Sequence, residues 1–96
     1  MGNNKKAHNL AAKLVYSAVR NGGNEAQINF RHPGGKWYKL LVDLDVDDQR
    51  SKALIVCTYG GRTSKNPKET ASYREISEIS SIIQRRLEHG YKVVKK

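Results

Sequence analysis

Apolar residues repeat with helical spacing near both ends of the chain. Residues 6–21 carry them at positions i, i+1, i+4, i+5 and i+8, which form one stripe of a helix: Leu10, Ala11, Leu14, Val15 and Ala18. A second stripe predicts a helix over residues 71–89, and its members are Tyr73, Ile76, Ile79, Ile83 and Leu87. The pattern therefore predicts one helix at each end of the domain.

Between these helices the pattern changes to the alternation that is typical of β-strands. Three segments show it, residues 26–31, 37–46 and 53–59. In the second segment one face carries Tyr38, Leu40, Val42, Leu44 and Val46, and the other carries Trp37, Lys39, Leu41, Asp43 and Asp45. Short turns rich in Gly, Pro and Asp separate the segments, so we expect an antiparallel meander.

These elements predict an α+β fold of αβββα order. We expect two layers, with a three-stranded antiparallel sheet and both helices on one of its faces. Residues 1–96 form a single domain at this length, and residues 60–70 form its longest irregular segment. We expect residues 1–5 and 91–96 to be flexible or peripheral, and the tail either adds a short edge strand or frays.

The charge balance favours an anionic partner. The chain has 18 Lys and Arg against 9 Asp and Glu, a formal net charge of +9. Four of the acids fall in one run, Asp43, Asp45, Asp47 and Asp48, so the remaining surface is more basic than the total suggests. Nucleic acid is the first partner to consider, because its phosphates release counterions to spaced Lys and Arg side chains.

Two segments collect candidate binding residues. Arg62, Lys65 and Lys68 lie in the irregular segment before the second predicted helix, whose free N–H groups favour phosphate oxygens. The second group surrounds the first turn and comprises Arg31, His32, Lys36, Lys39 and Trp37.

Trp37 is predicted on the strand face opposite the core. An exposed indole at that place stacks on a base or packs against a protein partner. Alternatively, residues 91–94 fold over Trp37 and Leu41 and bury both. The sequence leaves these two interpretations open.

The order of elements resembles the double-stranded-RNA-binding domain. The residues that carry the resemblance are the segment Gly60-Gly61-Arg62-Thr63-Ser64-Lys65 followed by Lys68, and the turn His32-Pro33-Gly34-Gly35-Lys36. In that family the corresponding lysines bridge phosphates across the major groove, and the corresponding loop reads the minor groove. The resemblance implies RNA as the ligand and these two segments as its contacts.

Metal and cofactor chemistry are not expected. The acidic run fails the calcium-loop pattern, because its sixth position is Asp48 instead of Gly and its twelfth is Leu54 instead of Glu. The single cysteine, Cys57, lies in an apolar strand and is predicted to be a small buried hydrophobe. No apolar run suggests a membrane span or a signal peptide, so we expect a cytoplasmic protein.

Three functional hypotheses follow, and the leading one is a non-catalytic nucleic-acid-binding module that favours RNA over DNA. The second is a small metal-independent ribonuclease in which His32, together with Arg31, Lys36, Arg62 or Tyr59, supplies the base, the acid and the cation for the phosphorane charge. The third is a phage or mobile-element inhibitor that binds a protein through Trp37 and Leu41. The sequence favours the absence of catalysis.

Overall fold

Two helices and five strands make up the computed structural model, which describes residues 2–20, 25–44, 52–62 and 66–94. In chain order the elements are α1 (Gly2–Arg20), β1 (Glu25–Arg31), β2 (Trp37–Leu44), β3 (Lys52–Gly60), β4 (Lys68–Glu75), α2 (Glu78–Glu88) and β5 (Lys92–Val93). The α+β class predicted from the sequence is confirmed.

The strands form one antiparallel sheet with the order β4-β3-β2-β1-β5. The predicted meander is its centre, since β1 pairs with β2 and β2 with β3. Trp37 lies opposite Arg31 on one side and opposite Gly60 on the other. The sheet thus has two strands more than the three predicted, one added at each edge.

Both helices pack on the same face of the sheet. Their buried residues and one alternating set of strand residues belong to a single core: Ala7, Ala11, Leu14, Phe30, Tyr38, Leu40, Val42, Ala53, Ile55, Ile79 and Ile83. The strand members of this core are cross-strand partners, for example Phe30 with Tyr38 and Val42 with Ile55. Because successive side chains of a strand alternate, the other set lies on the opposite face.

The prediction of a helix from residue 71 is wrong at its start. Residues 68–75 pair with β3 along its whole length, and α2 begins only at Glu78. Tyr73, which the helical stripe had included, is 64% exposed, whereas Ile79 and Ile83 are buried as expected. The physical reason is that β3 would otherwise present unpaired N–H and C=O groups, and β4 satisfies them.

The junction between β4 and α2 is held by a carboxylate at the helix start. Oε2 of Glu78 accepts a hydrogen bond from the Glu75 backbone N–H at 3.0 Å, and Oε1 lies 3.4 Å from the Arg74 guanidinium. An acid in the first turn also suits the positive end of the helix. These contacts fix the change of direction from strand to helix.

The C-terminal tail forms an edge strand. Val93 pairs with Phe30 and Lys92 with Arg31, and the Val94 N–H donates to the Asn29 carbonyl at 2.8 Å. Of the two outcomes that the sequence left for the tail, the structure shows the strand. At the other end of the chain, residues 2–5 belong to α1.

Across the described ranges, neither helix combines the length and the apolar character that crossing a membrane requires.

Leu40 and Leu41 test the assignment of the two sheet faces, because they are neighbours in β2 that lie on opposite sides. Leu40 is fully buried beneath the helices, and we expect Leu40→Ala to lower the free energy of unfolding by about 2–5 kcal/mol. Leu41→Ala is the matched control and is expected to cost about 1 kcal/mol or less. Urea unfolding of both variants measures the difference, and equal losses would contradict the assignment.

Candidate nucleic-acid interface

One face of the sheet is not packed against either helix in the described part of the chain. We call it the open face, and it carries Glu25, Gln27, Asn29, Arg31, Trp37, Lys39, Leu41, Asp43, Leu54, Val56, Thr58, Glu69, Ala71, Tyr73, Glu75 and Lys92. These side chains lie in rows across the strands. The rows can therefore be compared for charge and for apolar character.

Charge is divided along the open face. The row at one end contains Lys92, Arg31 and Trp37, and Lys39 lies in the next row. The row at the far end contains Asp43 together with Leu54 and Tyr73, and Glu75 lies beyond it. An anionic ligand is therefore attracted to the end that holds Trp37 and repelled from the other.

Gly60 determines where the Trp37 indole lies. A Cβ placed on Gly60 would be 3.0 Å from Cζ2 and 3.1 Å from Cε2 and Nε1 of the indole, which is closer than side chains normally pack. The ring thus extends from β2 onto β3 and rests against backbone that has no side chain. Trp37 remains half-buried, so part of the indole is accessible.

Arg62 joins the two groups of candidate residues that the sequence placed apart. A Cβ on Gly35 would lie 2.8 Å from Cβ and 2.9 Å from Cγ and Cδ of Arg62, so the aliphatic part of this side chain packs on the β1–β2 turn. Gly35 also has a positive φ of 97°, which glycine adopts readily. The glycine allows the close approach, and the exposed Arg62 side chain is held against the turn that leads into β2.

We define the Trp37 surface as Trp37 with the five cations around it: Arg31, Lys36, Lys39, Arg62 and Lys92. Arg31, Lys36, Arg62 and Lys92 are exposed and Lys39 is half-buried. A shallow depression lies between the turn and β5, and Arg31 and Lys92 line it together with Pro33 and Val94. The surface thus combines an accessible ring with cations on three strands and two loops.

The tail does not cover Trp37. Tyr91 packs on the helix-covered side, where its ring lies 6.1 Å from Tyr38 and 5.3 Å from His32 between centroids. Val93 packs against the core, and Lys92 lies beside Arg31 at the sheet edge. Of the two interpretations left open for Trp37, burial by residues 91–94 is excluded.

Lys68, a predicted phosphate contact, does not join this surface. Lys65, another predicted contact, lies outside the described residues. Lys68 begins β4 opposite Tyr59, whose ring stacks on Tyr38 at 6.0 Å on the helix-covered side, so Lys68 lies on the other face of the sheet from Trp37. It is also not at a helix N-terminus, because α2 begins at Glu78.

His32 has structural contacts that account for its position. Its Nδ1 accepts a hydrogen bond from the Gly34 N–H at 3.0 Å, and its ring meets Tyr91 edge-on. A Cβ on Gly90 would lie 3.1 Å from Nε2, so the second ring nitrogen lies close to the α2 terminus. His32 therefore ties the β1–β2 turn to the segment after α2.

A cluster of aromatic rings with one arginine closes the core below this turn. The Arg86 guanidinium lies 4.8 Å from the centroid of Tyr38 and 5.7 Å from that of Tyr91. Burial raises the pKa of the Tyr38 hydroxyl above its ordinary value, and a hydrogen bond with Cys57 raises it further. Tyr38 stays neutral, and the cluster supports the strand that carries Trp37 on its opposite side.

The acidic run can be followed only at its first residue. Asp43 lies on the open face opposite Leu54, while Asp45, Asp47 and Asp48 fall outside the described residues. In the ranges that the structure describes, no three His, Cys, Asp or Glu side chains are grouped as metal ligands would be.

Cys57 is half-buried rather than fully buried.

Lys92 was not among the site residues predicted from the sequence, and neither were the roles of Gly35 and Gly60. Lys92 falls in a short tail whose pairing with β1 has no strong local pattern. In the sequence, a glycine at a turn or at a strand end needs no explanation beyond the local backbone. That Gly35 leaves room for Arg62, and Gly60 for Trp37, depends on contacts between distant segments.

No protein-family model matches this chain, and comparisons with curated proteins and with solved structures give no match either.

Substitution of Gly60 tests the seat of the indole. Gly60→Val places a branched side chain where the Trp37 ring rests, so we expect the ring to move and its fluorescence maximum to shift to longer wavelength. The overpacking is expected to cost about 1–3 kcal/mol of stability. Gly61→Val is the control, because a Cβ there meets nothing within 4 Å. An unchanged Gly60→Val spectrum would show that the ring lies elsewhere.

His32 distinguishes a structural from a catalytic role. We expect His32→Ala to lower the free energy of unfolding by about 1–3 kcal/mol, because it removes one hydrogen bond and one aromatic contact. His8→Ala, at an exposed position of α1, serves as the control and is expected to change stability by about 0.5 kcal/mol or less. Unchanged stability of His32→Ala, combined with loss of an RNA cleavage activity that the wild type possesses, would contradict the structural role.

Proposed function

We propose that this protein is a non-catalytic nucleic-acid-binding module whose contact surface is the Trp37 surface. The observation that carries the proposal is the convergence of five cations around one accessible indole on a sheet face that the helices leave open. Of the cations predicted in residues 62–68, Arg62 belongs to this surface, Lys68 lies on the other face of the sheet, and Lys65 falls outside the described residues. The proposal rests on Arg31, Lys36, Lys39, Arg62 and Lys92.

The arrangement of these cations suits a phosphate backbone. Arg31 and Lys92 are adjacent on neighbouring strands, and Arg62 packs on the β1–β2 turn at the same end of the sheet. Cations that are spread over neighbouring strands and a turn contact successive phosphates of one backbone, and each contact releases counterions. The acids at the far end of the open face orient the ligand toward the Trp37 end.

RNA is favoured over DNA on the resemblance found in the sequence, which includes the turn at residues 32–36. That turn joins β1 to β2 and supports Arg62 through Gly35. The contacts of His32 with Gly34 and Tyr91 hold its ring in the fold, and this agrees with a module that has no catalytic role.

Removal of single charges tests the location of binding. We expect Arg62→Gln to weaken binding to RNA and to reduce the slope of log K against log salt concentration by about 0.7–0.9, the share of one phosphate contact. Lys13→Gln is the control, because it removes the same charge from an exposed position of α1 and is expected to leave the slope unchanged. Gel-shift or anisotropy titrations across salt concentration measure both.

Two results would overturn the proposal. One is the absence of any binding to RNA or DNA, single- or double-stranded, by the wild type at low salt. The other is an equal effect of Arg62→Gln and Lys13→Gln, since it would mean that the net charge acts without a defined surface.

A further inference from the structure

The accessible indole points to the form of nucleic acid that the Trp37 surface takes. We propose that the ligand is a single-stranded segment, with one unstacked base on the Trp37 ring and its neighbouring phosphates on the cations around the ring. This inference rests on the proposed function and adds the class of ligand and the role of Trp37 to it.

The position of Trp37 within the sheet favours a flat ligand. The residue lies on β2, with β1 and β3 on either side, and its ring crosses onto β3 at Gly60. A ligand can contact a ring at this place only on the side that faces away from the sheet. The partner that covers such a ring best is flat, and every nucleic-acid base has a flat π-face.

Bases in a duplex and bases in a single strand differ in whether their faces can be contacted. In a duplex the base faces are covered by their neighbours, so proteins reach the base edges in the grooves or contact the backbone. A ring that lies within a sheet face does not enter a groove as a protruding helix does. Bases of a single strand can leave the stack and place a whole face on an aromatic side chain.

Positive charge is spread over neighbouring strands and a turn at this end of the open face. Arg31 lies one strand from Trp37 and Lys92 two strands, while the aliphatic part of Arg62 packs on Gly35 of the β1–β2 turn. With strands about 4.8 Å apart, the surface from β5 to β3 extends about 14 Å, which suits a segment of a few nucleotides. A nucleic-acid strand that runs from Trp37 across the sheet places its phosphates near Arg31 and Lys92, and Arg62 on the turn offers a further contact.

The acidic end of the open face limits where nucleic acid can bind. Tyr73 is a second aromatic side chain on this face and is 64% exposed, but its row includes Asp43, and Glu75 follows two residues later in β4. Glu69 lies in the row of Lys39 and accepts a hydrogen bond from Thr58 at 3.4 Å. The nucleic acid is thereby kept at the end of the open face where the Trp37 surface lies. Tyr73 provides the matched control.

The start of α2 offers no competing site for a duplex backbone. Its first turn carries Glu78, which is engaged with Arg74 and with the Glu75 N–H. A carboxylate at this place occupies the region that phosphate would need.

Tryptophan fluorescence gives a direct measurement, because Trp37 is the only tryptophan in the chain. The probes are short oligouridylate and oligodeoxythymidylate strands, and blunt duplexes of RNA and of DNA of matched length. We expect single strands to quench the Trp37 emission and to bind more tightly than either duplex. The two single-stranded probes distinguish RNA from DNA as the source of the ligand.

Variants then test the role of the ring. Trp37→Ala is expected to lower single-strand affinity roughly 5- to 100-fold, the range for loss of one base stacked on an aromatic side chain. Trp37→Phe is expected to retain most of the affinity, and Tyr73→Ala to retain all of it. Circular dichroism confirms folding. If Trp37→Ala does not fold, quenching of the wild type and the affinity of Trp37→Phe decide the question.

The possible failures are distinguishable. Binding of duplexes as tightly as single strands, without quenching, would overturn the single-strand inference and leave the proposed function standing. Folded Trp37→Ala that binds single strands as tightly as the wild type would do the same. Absence of binding to all four probes at low salt would remove the proposed function and the inference together.

Discussion

Burial of one sheet face under two helices is the constraint on which the rest of the molecule depends. Ile79 and Ile83 of α2 and Leu14 of α1 meet the strand residues that include Leu40 and Val42 in one core. A short domain has enough apolar residues for one such layer. The opposite face is therefore left to other contacts, and the alternation of β2 that buries Tyr38 and Leu40 necessarily places Trp37 and Lys39 there.

The same constraint explains why the sequence predicted some elements well and others poorly. Strong periodicity, as in β2 or in the isoleucines of α2, is a direct consequence of facing the core and can be read without a structure. β4 has no such pattern, because all eight of its residues are exposed. β4 lies where its backbone pairs with the N–H and C=O groups of β3. The amino-acid pattern of residues 68–75 does not reveal that pairing.

The candidate site divides in a similar way. The placement of Trp37 opposite the core followed from alternation, and the cations of the β1–β2 turn were visible in the sequence. Its assembly was not visible, because Arg62 approaches the turn through the space at Gly35, and the ring of Trp37 depends on the space at Gly60. Contacts of this kind join segments that are distant in the chain. His32 shows the converse, since a residue that is chemically versatile serves here to hold the turn against Tyr91.

The central claim is that nucleic acid binds at the Trp37 end of the open face and not over the basic protein as a whole. Amide chemical shifts of ¹⁵N-labelled protein, followed during titration with oligouridylate at low salt, test it most directly. The account predicts shifts concentrated in residues 31–39, 60–62 and 92–94, with α1 and residues 71–75 unchanged. Shifts spread over α1 and β4, or no shifts with any nucleic acid, would contradict it.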